Sequence, residues 1–253
     1  MIGDWFFLLQ IRIFDNEQQV ASALADHIAS AVRQQPGIVL GLPTGRTPIA
    51  TYAELRRLHA EQGLSFARAV TFNLDEFVGI DASHPGSFRY YMEQHFFGGV
   101  DVPPERIHFL NGMAKDLDTE CIRYERDIAE AGGMDLQVLG IGGNGHIGFN
   151  EPADELIAST HRVTLHAGTR RDNAASFGGD PERVPREALS MGMATILKAR
   201  MLILVATGAG KARCVERMIH GPLTTRLPAS FLQMHRSAVV YLDRPAASLL
   251  AVE

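Results

Sequence analysis

Short apolar runs alternate with longer amphipathic segments along most of the chain. Ile38–Leu42 ("IVLGL") passes through "PTGRTP" into "IATYAELRRLHAEQG". Ala69–Leu74 ("AVTFNL") leads into "DEFVG" and later "SFRYYMEQHFF", and Ile107–Leu110 ("IHFL") precedes "LDTECIRYERDIAEAG". Leu136–Gly142 ("LQVLGIG") enters a glycine-rich stretch, and Met201–Thr207 ("MLILVAT") enters "GAGKARCVERMIHG". Ala238–Asp243 ("AVVYLD") closes the series, and Leu8–Phe14 reads as its first strand. The runs are too continuously apolar for a half-exposed sheet; as strands they are buried on both faces. Such strands separated by segments of helical period predict an α/β fold. The expected form is a mainly parallel, doubly wound sheet flanked by helices, a modified Rossmann-like arrangement. No Ser/Pro-rich linker, low-complexity tract or internal repeat interrupts the series, so residues 1–253 are expected to form a single domain.

In an open sheet of this kind ligands bind beyond the carboxyl ends of the strands, near the point where strand order reverses. Four turns that follow strands carry unusual chemistry: "PTGRTP", "LDEF", "GGNGHIGFNEP" and "TGAGK".

Composition narrows the partners. The formal net charge of −5 provides no basic field, so nucleic acid is not an expected partner. The two cysteines, Cys121 and Cys214, lack a metal-type neighbour and fall in helical segments, which predicts a reduced, cytoplasmic chain. The opening "MIGDWFFLLQIRIF" has no basic leader or small-residue cleavage site, and Asp4 and Arg12 lie close by, so a signal peptide is not expected. No stretch reaches the ~18 apolar residues of a membrane span, and no membrane partner is expected.

Gly140, Gly142 and Gly145 match G-x-G-x-x-G, the spacing of dinucleotide-binding turns. That fingerprint needs a helix directly after the turn and an acid about 20 residues on, at the end of the next strand. Here the turn runs into Phe149, Asn150, Glu151 and Pro152, a poor helix start, and the next strand candidate, "HRVTL", ends without an acid. What remains is a turn that presents Asn144, His146 and Glu151 together. One reading is a tight turn with a satisfied histidine. The other is a proton-transfer pair, since a carboxylate beside an imidazole holds its tautomer and favours its charged form.

The other turns divide in the same way. Asp75 and Glu76 either cap a helix or turn, or include a carboxylate that Phe72, Phe77 and Val78 push out of water into a carbon-acid base. Thr47 is expected at an N-cap with Pro48 at N1, and Lys211 stands beside a second helix start. Plain capping would explain both. Two helix N-termini on neighbouring strand ends, one with an ammonium, would also make a phosphate pocket from Thr44, Gly45, Arg46, Thr47 and Lys211. It is not a Walker A loop, because Val205 replaces the first glycine and Ala212 the Ser/Thr. No H-E-x-x-H occurs, and His146, His161 and His166 do not share a helical face, so no metal is expected. A base, a His–Glu pair and an anion pocket without metal or nucleotide suit proton transfer on a sugar phosphate.

The segments "GLPTGRTP", "TFNLDEFVG", "HPGSFRYYM", "GIGGNGHIGFNEP" and "ILVATGAGKA" together resemble the glucosamine-6-phosphate deaminase/isomerase family, over a span from about Gly41 to the final strand. The resemblance implies conversion of an amino-sugar phosphate, glucosamine 6-phosphate, to fructose 6-phosphate and ammonia without a cofactor. It further implies that Asp75 moves the proton between C2 and C1 and that His146 is the ring-opening acid/base. Glu151 would be its partner, Asn144 the third member of the relay, and Lys211 with the Thr44–Thr47 loop the phosphate site. Two departures stand out. Ala175 occupies the place where many members carry a phosphate-binding arginine, which leaves Arg46, or Arg170 or Arg171, to supply a second cation; Arg46 pointing to solvent is the alternative. Asp154, His161 and Val163 replace the Ser, Arg and Lys that hold an effector in regulated members. A 6-phosphogluconolactonase, a deaminase of a related amino sugar, and a non-enzymatic sugar-phosphate sensor are the competing readings. "GHIGFNEP" argues against the first, and the absence of a spare basic segment against the last. Homo-oligomerisation is left open.

Overall fold

The computed structural model describes residues 9–250. Leu8, and with it most of the apolar N-terminal run, lies outside the described residues; the first strand, β1, is Gln10–Phe14. It is followed by α1 (Glu17–Gln34), β2 (Val39–Leu42), α2 (Ile49–Gln62), β3 (Val70–Asn73) and β4 (Asp75–Phe77). Next come α3 (Phe88–His95), β5 (Ile107–His108), α4 (Leu117–Glu130), β6 (Leu136–Leu139), β7 (His161–Thr164) and α5 (Ala167–Asn173). The chain continues through β8 (Glu187–Ser190), α6 (Met193–Leu197), β9 (Met201–Ala206), α7 (Ala212–His220) and β10 (Ala238–Asp243).

Seven strands form one sheet in the order β1-β10-β9-β6-β2-β3-β5, and every pairing in it is parallel. The continuous apolar runs have the expected cause. Along β9, Leu202 and Leu204 face one core with Tyr124, Val215 and Met218, while Ile203 and Val205 face another with Leu24, Ile28 and Tyr52. Each such side chain contributes ~1.5–3 kcal/mol when fully buried, so a polar residue on either face would be costly. Helices begin where short side chains satisfy backbone donors: the Asn16 side chain accepts from Gln19 N–H ahead of α1, and Asp116 accepts from Asp118 and Thr119 ahead of α4.

Two expectations need correction. A second sheet, β4-β8-β7, is antiparallel and stands apart from the parallel one. "LDEF" is therefore partly strand, and "HRVTL" belongs to this smaller sheet. Its inner face builds a third core from Phe77, Phe88, Phe149 and Phe177. The start of α2 is also shifted: Pro48, not Thr47, holds the cap position, and no side chain caps the helix. No helix among the described residues is long and apolar enough to cross a membrane.

From β2 the chain moves one way through β3 to β5; after β5 it crosses back and moves the other way through β6, β9 and β10. The reversal lies between β2 and β6, so the turns after these strands flank the crevice in which such sheets bind ligands.

Candidate active site

The turn after β6 closes on itself. Gly142 N–H donates to His146 O at 3.0 Å and Gly145 N–H to Gly142 O at 3.0 Å. No helix follows, which removes the dinucleotide reading. The glycines serve close approach instead: a Cβ on Gly142 would lie 2.2 Å from the His146 ring. Gly145 adopts φ +92°, a conformation disfavoured for residues with a Cβ.

This turn brings Asn144, His146 and Glu151 together. Asn144 Nδ2 donates to Glu151 Oε2 at 2.9 Å, and His146 Nδ1 lies 3.6 Å from the same oxygen. The rest of the grip on Glu151 comes from around α5: Thr169 Oγ1 and His166 N–H both donate to Oε1, the latter at 3.2 Å. Burial alone would raise the Glu151 pKa, but the neighbouring imidazole and the hydroxyl and amide donors outweigh it and hold the group at about 2. Thr169 and His166 were not picked out from the sequence. They lie 18 and 15 residues from Glu151, on a different element, and no spacing rule links them.

Asp75 and Glu76 split the two readings of "LDEF" between them. Glu76 is a structural acceptor: it receives Ser87 Oγ at 2.7 Å and the N–H groups of Phe77, Phe88 and Arg89 at 2.9–3.0 Å, tying β4 to the start of α3. Burial still raises its pKa against those bonds. Asp75 has no side-chain hydrogen bond among the described residues and is 6% exposed. Burial, with the charge of Glu76 adding to it, pushes its pKa up to about 8. The glycine turn passes over this carboxylate: at Gly148 an added Cβ would stand 3.6 Å from Asp75 Oδ2. Hydrogen bonds from Phe149 N–H to Ser190 Oγ (3.0 Å) and from Asn150 Nδ2 to Met191 O (2.8 Å) fix that approach.

The cationic side of the crevice is assembled from β2 and β9. Lys211 Nζ donates to Ile141 O at 2.7 Å, which joins it to the base of the glycine turn. Burial lowers the Lys211 pKa; Asp172 opposes this, and Arg46 reinforces it. Arg46 is thus within electrostatic reach of Lys211, yet it is exposed and its side chain forms no hydrogen bond or ion pair among the described residues. Gly45 O in the same turn accepts from Tyr91 Oη at 2.6 Å. The turn before α7 is less open than expected, because Gly208 N–H is committed to the Asp243 carboxylate at 3.0 Å. Arg170 drops out as a second cation: it donates to Pro181 O at 2.7 Å and pairs with Glu182 at 3.3 Å. Ala175 is exposed and contributes no charge. Of the other departures, Asp154 pairs with Arg226, and His161 and Val163 lie in β7.

A doubly wound α/β sheet whose strand ends hold a largely buried carboxylate, a carboxylate–imidazole pair and two cations defines a class: acid–base proteins that handle an anionic small molecule at a strand-order reversal. The model of a family described as "Glucosamine-6-phosphate isomerases/6-phosphogluconolactonase" matches residues 15–241, and the chain belongs to that family. It is 45% identical over 242 residues to the glucosamine-6-phosphate deaminase of Halothermothrix orenii, covering 96% of this chain and 100% of the relative. A solved structure described as a monomeric glucosamine-6-phosphate deaminase superposes with a TM-score of 0.92 at 40% identity, covering 95% of this chain and 100% of that one. A 6-phosphogluconolactonase from Trypanosoma cruzi shares the fold, with a TM-score of 0.77 at 20% identity over 97% of this chain and 98% of its own.

Proposed function

We propose that the chain is a glucosamine-6-phosphate deaminase that releases ammonia and forms fructose 6-phosphate. The observation that carries this reading is Asp75, a buried carboxylate whose side chain has no hydrogen-bond partner among the described residues and whose pKa is pushed up to about 8. Hydrolysis of a lactone needs an activated water and no such base, whereas abstraction of a carbon-bound proton needs a strong one. His146, with Glu151 and Asn144 behind it, accepts the anomeric hydroxyl proton and returns a proton to the ring oxygen. Asp75 then moves the C2 proton to C1, and the imine left at C2 is hydrolysed by water to the ketone and ammonia. Lys211, Arg46 and the Thr44–Thr47 turn receive the phosphate, whose desolvation needs charge-assisted hydrogen bonds in return.

The high identity to relatives named as deaminases supports this over the lactonase, for which the similarity reaches the fold alone. The relative described as monomeric supports a site completed within one chain of a single domain, residues 1–253. A phosphorylated substrate and two free, buried cysteines suit the cytoplasm. The test is ammonia release from glucosamine 6-phosphate, its galacto epimer and free glucosamine, alongside hydrolysis of 6-phosphogluconolactone. Fastest release from glucosamine 6-phosphate is expected. Lactone hydrolysis without ammonia release overturns the reading, and preference for free glucosamine overturns the phosphate site.

A further inference from the structure

Glu151 faces two imidazoles, and the reaction described above uses only one of them. His166 Nδ1 lies 3.4 Å from Glu151 Oε2, the oxygen that is also 3.6 Å from His146 Nδ1. The rings arrive from different elements, His146 on the glycine turn and His166 on the residue ahead of α5. His166 stands at the cap position of α5 without capping it, so its side chain is turned to the carboxylate instead of the helix. Its backbone N–H secures that placement on Glu151 Oε1. The Glu151 side chain is 5% exposed and the His166 side chain 53%, so His166 connects a buried carboxylate to solvent.

We propose that His166 is a positioning residue that, when protonated, keeps His146 neutral through the carboxylate they share, and so holds the relay in the form that accepts the anomeric proton. The inference rests on the ring-opening role proposed for His146. Its physical basis is charge balance. Glu151 carries one negative charge at any pH well above 2, and one carboxylate cannot neutralise two imidazolium ions in contact with it. The two Nδ1 atoms, each within 3.6 Å of Oε2, are at most about 7 Å apart. A charge at that distance, screened by water on one side, displaces the neighbouring titration by about half to one pH unit. Of the other charged groups near the site, Arg170 on α5 is held by Pro181 and Glu182, while Asp172 and Arg46 act on the Lys211 ammonium with opposite signs. Asp75 lies across the turn beside Gly148, and Asn144, the third contact on Oε2, does not titrate.

The experiment titrates the His146 imidazole by NMR in the intact protein and compares rates of ammonia release from glucosamine 6-phosphate at pH 6 and pH 9. His166→Asn removes the charge and places a favoured capping residue ahead of α5; His166→Lys makes the charge permanent. Each rate is taken as a ratio to wild type at the same pH, which cancels the requirement for ionised Asp75. His166→Asn is expected to move the His146 titration up by about half to one unit. Its rate should fall at pH 6, by no more than the roughly three- to tenfold to which that shift corresponds, and stay within about twofold at pH 9. His166→Lys should leave the titration at or below that of wild type. An unmoved or lowered His146 titration in His166→Asn overturns the proposal, as does a shift of the same sign in both variants. A shifted titration with an unchanged rate at pH 6 leaves the coupling standing and overturns the ring-opening role of His146 instead.

Discussion

Asp75→Asn should abolish most turnover and yet make the protein more stable at alkaline pH. The side chain is 6% exposed, and burial beside Glu76 pushes its pKa up to about 8. A raised acid pKa favours the fold fully below the pKa of the unfolded chain, and that contribution is lost as pH rises through the folded value. The shift is roughly four units, and at ~1.4 kcal/mol per unit the wild type loses on the order of 5 kcal/mol between pH 4 and pH 8. Asparagine cannot ionise, so the variant escapes this loss. Its amide, in a site with no hydrogen-bond partners among the described residues, costs about 1–3 kcal/mol instead. At pH 5, where the wild type has lost only about 1.5 kcal/mol, the two proteins should be close in stability. At pH 9 the variant should be ahead by about 2–4 kcal/mol.

Urea unfolding at the two pH values measures that difference, and ammonia release measures the activity. A general base contributes ~10²–10⁴-fold, so a loss of at least a hundredfold is expected, with binding of the sugar phosphate retained. In the wild type, kcat/KM should fall about tenfold per pH unit below about 8, where Asp75 takes up its proton. A stability difference that is the same at pH 5 and pH 9 would refute the desolvation argument. Turnover within tenfold of wild type would refute the role as base.

Glu76→Gln should destabilise the fold by about 2–3 kcal/mol in urea titrations, because an amide nitrogen would meet donors that now point at a carboxylate. With the neighbouring charge gone, the acidic limb assigned to Asp75 should move to lower pH in a kcat/KM profile. Arg46→Ala should raise KM for the phosphorylated sugar roughly tenfold or more, since hydrogen bonds to charged groups contribute ~1.5–3 kcal/mol, and should leave an unphosphorylated analogue unaffected. Equal effects on both sugars would place Arg46 outside the phosphate site. His146→Gln should slow the forward reaction from the closed ring more than the reverse reaction from fructose 6-phosphate and ammonia, a comparison made in one coupled assay. Equal losses would give His146 another role.

The parallel sheet could be read from the chain because burial on both faces writes itself as uninterrupted apolar runs, as in "MLILVA" and "AVVYLD". The antiparallel sheet could not. Its strands are three or four residues long; β7 is legible as the strand candidate "HRVTL", but its alternation of half-buried and exposed positions does not name β8 as the partner or the pairing as antiparallel. The site divides on the same line. Asn144, His146 and Glu151 share one turn and were legible together. Which of Asp75 and Glu76 is free to react depends on Ser87 and the first N–H groups of α3, partners supplied by folding. Thr169 and His166 reach Glu151 through space from α5, and Arg170 is withdrawn from the phosphate side by the carbonyl of Pro181, so neither outcome was contained in local spacing.

The glycine pattern shows why spacing alone misleads. G-x-G-x-x-G reports that something comes too close for a Cβ; it does not say what. In a dinucleotide site the close neighbour of such a turn is a pyrophosphate, and the free N–H groups belong to the helix that follows. Here the Gly142 and Gly145 N–H groups are consumed within the turn, and the neighbour of Gly142 is the ring of His146. Gly142 therefore lets the imidazole pack against the backbone with its Nδ1 toward a buried carboxylate. Gly145 serves the positive-φ turn and lies against Leu227, and Gly140 has open space where a Cβ would stand. What separates the two uses in the sequence is the residue type that follows, His146 and then Glu151 before a proline, and not the glycines themselves.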